Sequence, residues 1–159
     1  MQKKYKFVIL FYPALMLYCL EFKTIMDLEK ILILDFGGQY SKLIARRTRE
    51  CGVFSEILSY TSSPERIMEK GYKAIILSGG PASVYEANAP QCDKAIFDMG
   101  LPVLGICYGA QLMANLLDGY VEKSGSPEYG STMVQVDKKA ALFASPNVED
   151  VTATWMSHT

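Results

Sequence analysis

Short apolar runs alternate with amphipathic segments along most of the chain after residue 26. Four short, mostly apolar runs predict buried strands: Ile31–Leu34, Val53–Leu58, Ala74–Leu77 and Pro102–Ile106. The segments between and after them have helical spacing and predict helices over 39–50, 64–70, 88–99 and 108–117. From Tyr120 onward, glycine and proline interrupt a β-rich pattern that is typical of hairpins.

This order of elements predicts the fold class. In the first helix, Tyr40, Leu43 and Ile44 fall on one face, which we expect to pack on the sheet. Strands that alternate with helices over short connections predict an open, mostly parallel sheet with helices on both faces. Sites in such sheets form at the carboxyl ends of the strands, and glycine-bearing turns occur there after Asp35, after Ser78 and around Cys107.

Residues 1–25 do not continue this pattern. Three lysines precede the uncharged run Phe7–Leu20, as at the start of a secretory signal, but no small-x-small cleavage site follows the run. The run is also shorter than the roughly 20 residues that span a bilayer, so we expect no membrane segment. We interpret residues 1–25 as sequence upstream of a start at Met26, with a targeting segment as the alternative.

Composition excludes several kinds of function. Sixteen basic and seventeen acidic residues give a net charge of −1, which argues against nucleic acid as a partner. The four cysteines form no Cys-x-x-Cys pair and the sequence has one histidine, so no metal site is expected. Four free thiols in a chain of this size indicate a reducing compartment, and we expect the protein to be cytoplasmic.

The segment Gly105-Ile-Cys-Tyr-Gly109 is the most informative motif. It places Cys107 between two glycines at a strand-to-helix turn, where a nucleophile occupies a strained position that flanking side chains would obstruct. The partial positive charge at the N-terminus of the following helix favours the reactive thiolate. The alternative is a buried structural cysteine, which is the interpretation we prefer for Cys51 and Cys92.

The turn Ser78-Gly-Gly-Pro81 allows three interpretations. A glycine-rich turn can bind phosphate, but Pro81 removes a backbone N–H that such a site would use, and the chain has no P-loop motif. A plain strand-to-helix turn is the second. We favour the third, in which the N–H groups of Gly80 and Tyr108 stabilise the oxygen that becomes negative when Cys107 attacks a carbonyl.

Five segments, taken together and in order, resemble the class I glutamine amidotransferases, and specifically the GMP synthase branch of that family. They are Ile31–Tyr40, Ile76–Pro81, Gly105–Gln111, Glu128–Gly130 and Trp155–His158. The resemblance covers residues 26–159, which we interpret as a partial amidotransferase domain. It implies a flavodoxin-like fold whose C-terminal part is not contained in this sequence.

The resemblance also implies a reaction. Cys107 would attack the side-chain amide of glutamine, with Gly80 and Tyr108 as the oxyanion hole, and water would cleave the resulting thioester. Gln111, Ser157 and His158 would bind the substrate. Ammonia would pass to an ATP-pyrophosphatase (synthetase) domain that converts XMP to GMP, in a full-length enzyme expected to be a homodimer. ATP and Mg²⁺ would bind that domain, and no cofactor is expected in this chain.

One part of the family pattern is absent from the sequence. The resemblance places the catalytic histidine and glutamate in a His-Pro-Glu segment, and these 159 residues contain none. His158 has no acidic residue after it that could orient it as a base, so we expect these residues alone to be nearly inactive. The alternatives are a glutaminase subunit of another class I amidotransferase, or a non-catalytic regulatory module.

Overall fold

A computed structural model describes residues 29–122, 128–138, 141–143 and 148–158. The interpretation of residues 1–25 therefore lies outside the described residues. The described chain divides into two compact units, residues 29–120 and the residues from Val121 onward.

The first unit is a parallel β-sheet with helices between its strands. The strands are β1 (Lys30–Asp35), β2 (Phe54–Ser59), β3 (Ala74–Leu77) and β4 (Val103–Gly105). The helices are α1 (Ser41–Glu50), α2 (Pro64–Glu69), a 3₁₀ helix (Lys94–Asp98) and α3 (Tyr108–Leu116). The strand order is β2-β1-β3-β4 and every pairing is parallel. This is the flavodoxin-like order, and it confirms the predicted fold class.

Successive side chains of β1 and β3 point to opposite faces and form two cores. On one face, Ile33 and Ile76 cluster with Ala45 of α1. The other face buries a larger set with residues of α2, the 3₁₀ helix and α3, among them Leu32, Leu34, Ile75, Leu77, Ile67, Ile96 and Leu112. The sheet is therefore covered by helices on both faces, as the alternating pattern predicts.

Two details of the prediction are wrong. The helix expected over 88–99 is only the 3₁₀ helix Lys94–Asp98, because Pro90 cannot donate a backbone hydrogen bond and Asp93 caps a new start by accepting from the N–H of Ala95. The apolar face expected for α1 is also displaced. Tyr40 and Leu43 are exposed, whereas the small residues Ser41 and Ala45 are buried, which lets the helix approach the sheet closely.

The second unit contains a β-hairpin. Strands β5 (Glu128–Gln135) and β6 (Val151–His158) pair antiparallel over their whole length, from Glu128 opposite His158 to Gln135 opposite Val151. A 3₁₀ helix, Ala141–Phe143, lies between them. The hairpin-like pattern after Tyr120 is thus confirmed, and it places the predicted residues Ser157 and His158 at the end of β6.

Candidate active site

Three turns lie at the carboxyl ends of neighbouring strands and surround one pocket. Its lining comes from the turn after β1 (residues 37–40), the turn after β3 (Gly79–Pro81), the turn after β4 (Ile106 and Cys107), and Ser41 and Ile44 of α1. Its volume is about 390 Å³. The chain leaves β1 for a helix on one face and leaves β3 for helices on the other. Ligands of doubly wound sheets bind in crevices at such points.

Cys107 occupies a strained backbone position at the mouth of this pocket. Its φ of 50° and ψ of −115° lie outside the regions that residues with a side chain normally adopt, at a cost of about 1–3 kcal/mol. The side chain is exposed and the thiol is free. A backbone held in such a position, with its side chain at the pocket, is the geometry of a nucleophile on an elbow.

The two glycines beside Cys107 are required by close packing. A Cβ on Gly105 would lie 2.6 Å from the backbone of Ala110, and a Cβ on Gly109 would overlap the backbone oxygen of Leu77. Both contacts bring the start of α3 directly against the ends of β3 and β4. The prediction that flanking side chains would obstruct this turn agrees with these contacts.

The elbow is joined to the turn after β3 by backbone hydrogen bonds. The N–H of Ile106 donates to the Leu77 oxygen at 3.0 Å, and the N–H of Gly109 donates to the Ser78 oxygen at 3.1 Å. Within residues 29–122, the N–H groups of Gly80 and Tyr108 form no hydrogen bond. Two unpaired donors therefore remain on the turns that carry Cys107 and Gly80, and a negatively charged oxygen could accept from them.

The side chain of Asp35 shapes the turn after β1, a role that the sequence interpretation missed. Its Oδ1 accepts hydrogen bonds from the N–H of Gly37 at 2.9 Å and from the Ser41 hydroxyl at 2.6 Å. An aspartate that bonds the backbone two residues ahead forms an Asx turn. The sequence signal for this role is an aspartate at the end of an apolar run, two residues before a pair of glycines.

The comparisons with known proteins agree with this geometry. The family model described as glutamine amidotransferase class-I matches residues 32–159, which is most of the chain. The chain belongs to the class I glutamine amidotransferase family. Its likeness to individual members is also high. It is 53% identical over 133 residues to the GMP synthase [glutamine-hydrolyzing] of Lachnospira eligens, and 57% identical over 131 residues to that of Caldanaerobacter subterraneus.

These matches cover 84% and 82% of this amidotransferase chain, which spans about a quarter of the length of both relatives. A solved structure from Thermoplasma acidophilum, provisionally described as one subunit of a GMP synthase, superposes with a TM-score of 0.66 at 29% identity. That superposition covers 83% of this chain and 65% of the other. The parallel fold and the family resemblance inferred from the sequence are therefore confirmed.

The amidotransferase pocket contains some of the predicted site residues but not all of them. Cys107 and Gly80 line it. Tyr108 does not, because its side chain is buried behind the elbow, and Gln111 is exposed one turn further along α3 without lining the pocket. Ser157 and His158 belong to the hairpin unit, and their side chains lie outside what the structure describes. Their roles remain predictions.

The buried side chain of Tyr108 anchors the elbow to its surroundings. Its ring centroid lies 5.6 Å from that of Phe36, and its hydroxyl donates to the Pro90 oxygen at 2.5 Å. Desolvation is the main cause that raises the pKa of this hydroxyl, so it stays protonated and able to donate. The residue after Cys107 thus connects α3 to the loop before the 3₁₀ helix.

The other described thiols differ from Cys107. Cys92 is buried, as expected of a structural cysteine, and desolvation raises its pKa to about 11. Cys51 caps the C-terminus of α1 and is exposed rather than buried, which corrects the sequence interpretation. Its place at the helix end explains this, because residues after the last turn no longer face the sheet.

Metal-ligand clusters and membrane-spanning helices are both absent from the described ranges. Across residues 29–122 and the described parts of the second unit, no three histidine, cysteine, aspartate or glutamate side chains cluster as metal ligands would. In the same ranges, no helix has the length and apolar character needed to cross a bilayer.

Proposed function

We propose that this chain is the glutamine-hydrolysing part of a GMP synthase, and that Cys107 is its nucleophile. One observation carries the proposal: the exposed Cys107 thiol stands on a strained elbow and lines the same pocket as Gly80. The likeness of more than 50% identity to the GMP synthases named above supports the choice of branch.

The proposed reaction begins when the Cys107 thiolate attacks the side-chain carbonyl carbon of glutamine. A C–S bond forms, and the carbonyl π electrons move to the oxygen, which becomes negative. The unpaired N–H groups of Gly80 and Tyr108 donate to that oxygen, an interaction that is stronger in the transition state than with the neutral amide. The intermediate collapses, the protonated amide nitrogen leaves as ammonia, and a glutamyl thioester remains on Cys107.

Water then attacks the thioester carbonyl carbon. A second oxyanion forms at the same two donors, and its collapse releases glutamate and the Cys107 thiolate. Both steps need a group that moves protons. The family resemblance assigns this role to a histidine in a His-Pro-Glu segment, which these 159 residues do not contain. Gln111, Ser157 and His158 stay as proposed substrate-binding residues.

We propose that the ammonia reacts in a synthetase domain that activates XMP with ATP and Mg²⁺. The chain spans about a quarter of the length of the relatives named above. We propose that the complete enzyme is cytoplasmic and homodimeric. These statements concern the whole protein and follow from the likeness to GMP synthases.

The test is to trap the acyl-enzyme. The 159-residue chain is incubated with isotopically labelled glutamine and quenched in acid, and its peptides are mapped by mass spectrometry. We expect a slowly formed glutamyl group on Cys107 that hydroxylamine removes, as it removes thioesters. Steady ammonia release should stay several orders of magnitude below that of a complete amidotransferase, because nucleophile and base act as a unit.

Two results would overturn the proposal. One is a glutamyl group on another residue, or on none while glutamine is consumed. The other is turnover by these residues alone at the rate of a complete amidotransferase, which would show that the base lies within them. Cys51 is the internal control in the same peptide map, because it is exposed but neither stands on a strand-to-helix elbow nor lines the pocket.

A further inference from the structure

The hydroxyl of Ser78 makes two hydrogen bonds at the end of β3. Ser78 is 1% exposed. Its Oγ accepts from the N–H of Phe36 at 3.1 Å and donates to the carbonyl oxygen of Gly79 at 2.9 Å. The first bond connects the turn after β1 to the turn after β3. The second acts on the peptide unit that joins Gly79 to Gly80.

That peptide unit also carries the N–H of Gly80. Because a trans peptide is planar, its C=O and N–H point in opposite directions, and fixing one fixes the other. A peptide between two glycines is otherwise easy to turn over, since neither residue has a Cβ that restricts φ and ψ. The Ser78 hydroxyl therefore determines the direction in which the Gly80 N–H points.

Two close contacts hold the same unit in place. A Cβ on Gly38 would overlap the Gly79 oxygen, so the carbonyl lies directly against the turn after β1. A Cβ on Gly80 would lie 2.7 Å from the Phe36 oxygen. The carbonyl of Gly79 is thus held by a hydroxyl and by packing, whereas the N–H of Gly80 has no partner among residues 29–122.

We propose that Ser78 is a positioning residue for the oxyanion site. Its hydroxyl holds the Gly79–Gly80 peptide in the orientation that keeps the Gly80 N–H available to a developing negative charge. This inference rests on the proposed function, because the N–H matters to the reaction only if Cys107 adds to a carbonyl-like carbon. Ser78 itself does not line the pocket.

The probe is the γ-nitrile analogue of glutamine, labelled with ¹³C at the nitrile carbon. The Cys107 thiolate adds to that carbon, one C–N π pair moves to nitrogen, and the nitrogen takes a proton from water. The product is a thioimidate, which the ¹³C chemical shift identifies, and its nitrogen lies where the oxyanion would lie. Alkylation by iodoacetamide is the reference reaction, since iodide leaves from a CH₂ group and no charge develops at that position.

Ser78→Ala is compared with the matched control Ser55→Ala in the full 159-residue chain. Ser55 is also buried, and its hydroxyl also donates to a backbone oxygen at 2.9 Å, that of Ala45, but it does not line the pocket. We expect Ser78→Ala to weaken thioimidate formation about 10-fold or more while the iodoacetamide rate at Cys107 stays unchanged. Ser55→Ala should leave both unchanged, and Ser78→Thr, which keeps a hydroxyl, should restore the adduct.

If circular dichroism shows that Ser78→Ala is not folded, Gly38→Ala replaces it, because its methyl would press on the Gly79 carbonyl directly. Gly38→Ala should also weaken thioimidate formation while the iodoacetamide rate at Cys107 stays unchanged. The role of Ser78 would be overturned if the folded variant formed the thioimidate as well as the parent chain does. It would also be overturned if thioimidate formation and iodoacetamide alkylation were weakened equally. Failure of the parent chain to form any thioimidate at Cys107 would instead overturn the proposed function.

Discussion

The turn around Cys107 and the loop around Cys92 both carry a free thiol in the same unit, yet their environments are opposite. Cys107 is exposed, has a positive φ and lines a pocket. Cys92 is buried in the larger core, and the loss of solvent raises its pKa to about 11. The residue type is identical in the two places, so the backbone and the surroundings alone distinguish a candidate nucleophile from a packing residue.

Tyr108 connects these two regions. It follows Cys107 directly, and its hydroxyl bonds the Pro90 oxygen two residues before Cys92. The buried region therefore supports the exposed one. The turn that carries Cys107 is thus anchored to the loop that carries Cys92.

The largest expected effect comes from removing one thiol or the other. Cys107→Ala should abolish glutamyl incorporation, a loss of at least about 10³-fold, because no other thiol stands on an elbow beside the pocket within the described residues. Cys92→Ala should leave incorporation unchanged and only lower stability through a lost core contact. The measurement is the acid-quench peptide map described above. Incorporation that survives in Cys107→Ala would end the distinction between the two thiols.

The packing of the elbow predicts the next largest effect. Gly109→Ala places a methyl against the backbone and side chain of Leu77, and we expect it to lower the free energy of unfolding by about 3 kcal/mol. Gly52→Ala is the control. Gly52 has a φ of 79° but no atom within 4 Å of a Cβ, so only backbone strain of about 1 kcal/mol applies. Urea titration of both variants measures the difference, and equal losses would mean that α3 does not approach β3 this closely.

The buried thiol predicts an alkaline loss of stability. The Cys92 pKa is about 11 in the folded state against an ordinary value of 9.0, so above pH 9 the unfolded chain releases a proton that the folded chain retains. The contribution of the Cys92 thiol to the free energy of unfolding is therefore fully present below pH 9. It decreases as the pH rises towards 11, by about 1 kcal/mol at pH 10.

Urea titrations of the parent chain and of Cys92→Ala at pH 8 and pH 10 measure this contribution. The parent should lose more stability than the variant between the two values. Tyr72, whose pKa is also raised, adds an alkaline loss that both proteins share, so it cancels in the difference. Equal losses would show that Cys92 is not desolvated in solution.

The smallest expected effect concerns the connection between the regions. Tyr108→Phe removes the hydroxyl and leaves the Pro90 oxygen without its donor, and we expect it to lower the free energy of unfolding by about 1 kcal/mol. Tyr120→Phe is the control, since that side chain is 86% exposed. If Tyr108→Phe is as stable as the parent, the hydroxyl does not anchor the elbow and the two regions are independent.

The sequence predicts the elbow well for a physical reason. Glycines at 105 and 109 around a cysteine, between an apolar run and a segment rich in helix formers, have few other structural uses, and the structure leaves neither glycine room for a side chain. The parallel sheet with helices on both faces follows from the alternation of elements in the same way. These features depend on local patterns that are visible directly in the chain.

Other features depend on contacts between distant residues and were missed. Ser78 bonds Phe36 across 42 residues, and nothing in the local sequence indicates that partner. The expected apolar face of α1 is wrong because burial there depends on how closely small residues let the helix approach the sheet, not on hydrophobicity alone. The helix over 88–99 is wrong for a local reason instead, because Pro90 and the cap at Asp93 outweigh helical spacing.

The central claim is that Cys107 adds to a carbonyl-like carbon beside two N–H donors. A crystal structure of the chain with the γ-nitrile analogue of glutamine bound tests this claim most directly. We expect continuous density from Cys107 Sγ to the former nitrile carbon, with the adjoining nitrogen about 3 Å from the backbone nitrogens of both Gly80 and Tyr108. An analogue bonded to a different thiol would refute the role of Cys107. An adduct on Cys107 whose nitrogen faces solvent, away from both N–H groups, would refute the oxyanion site equally.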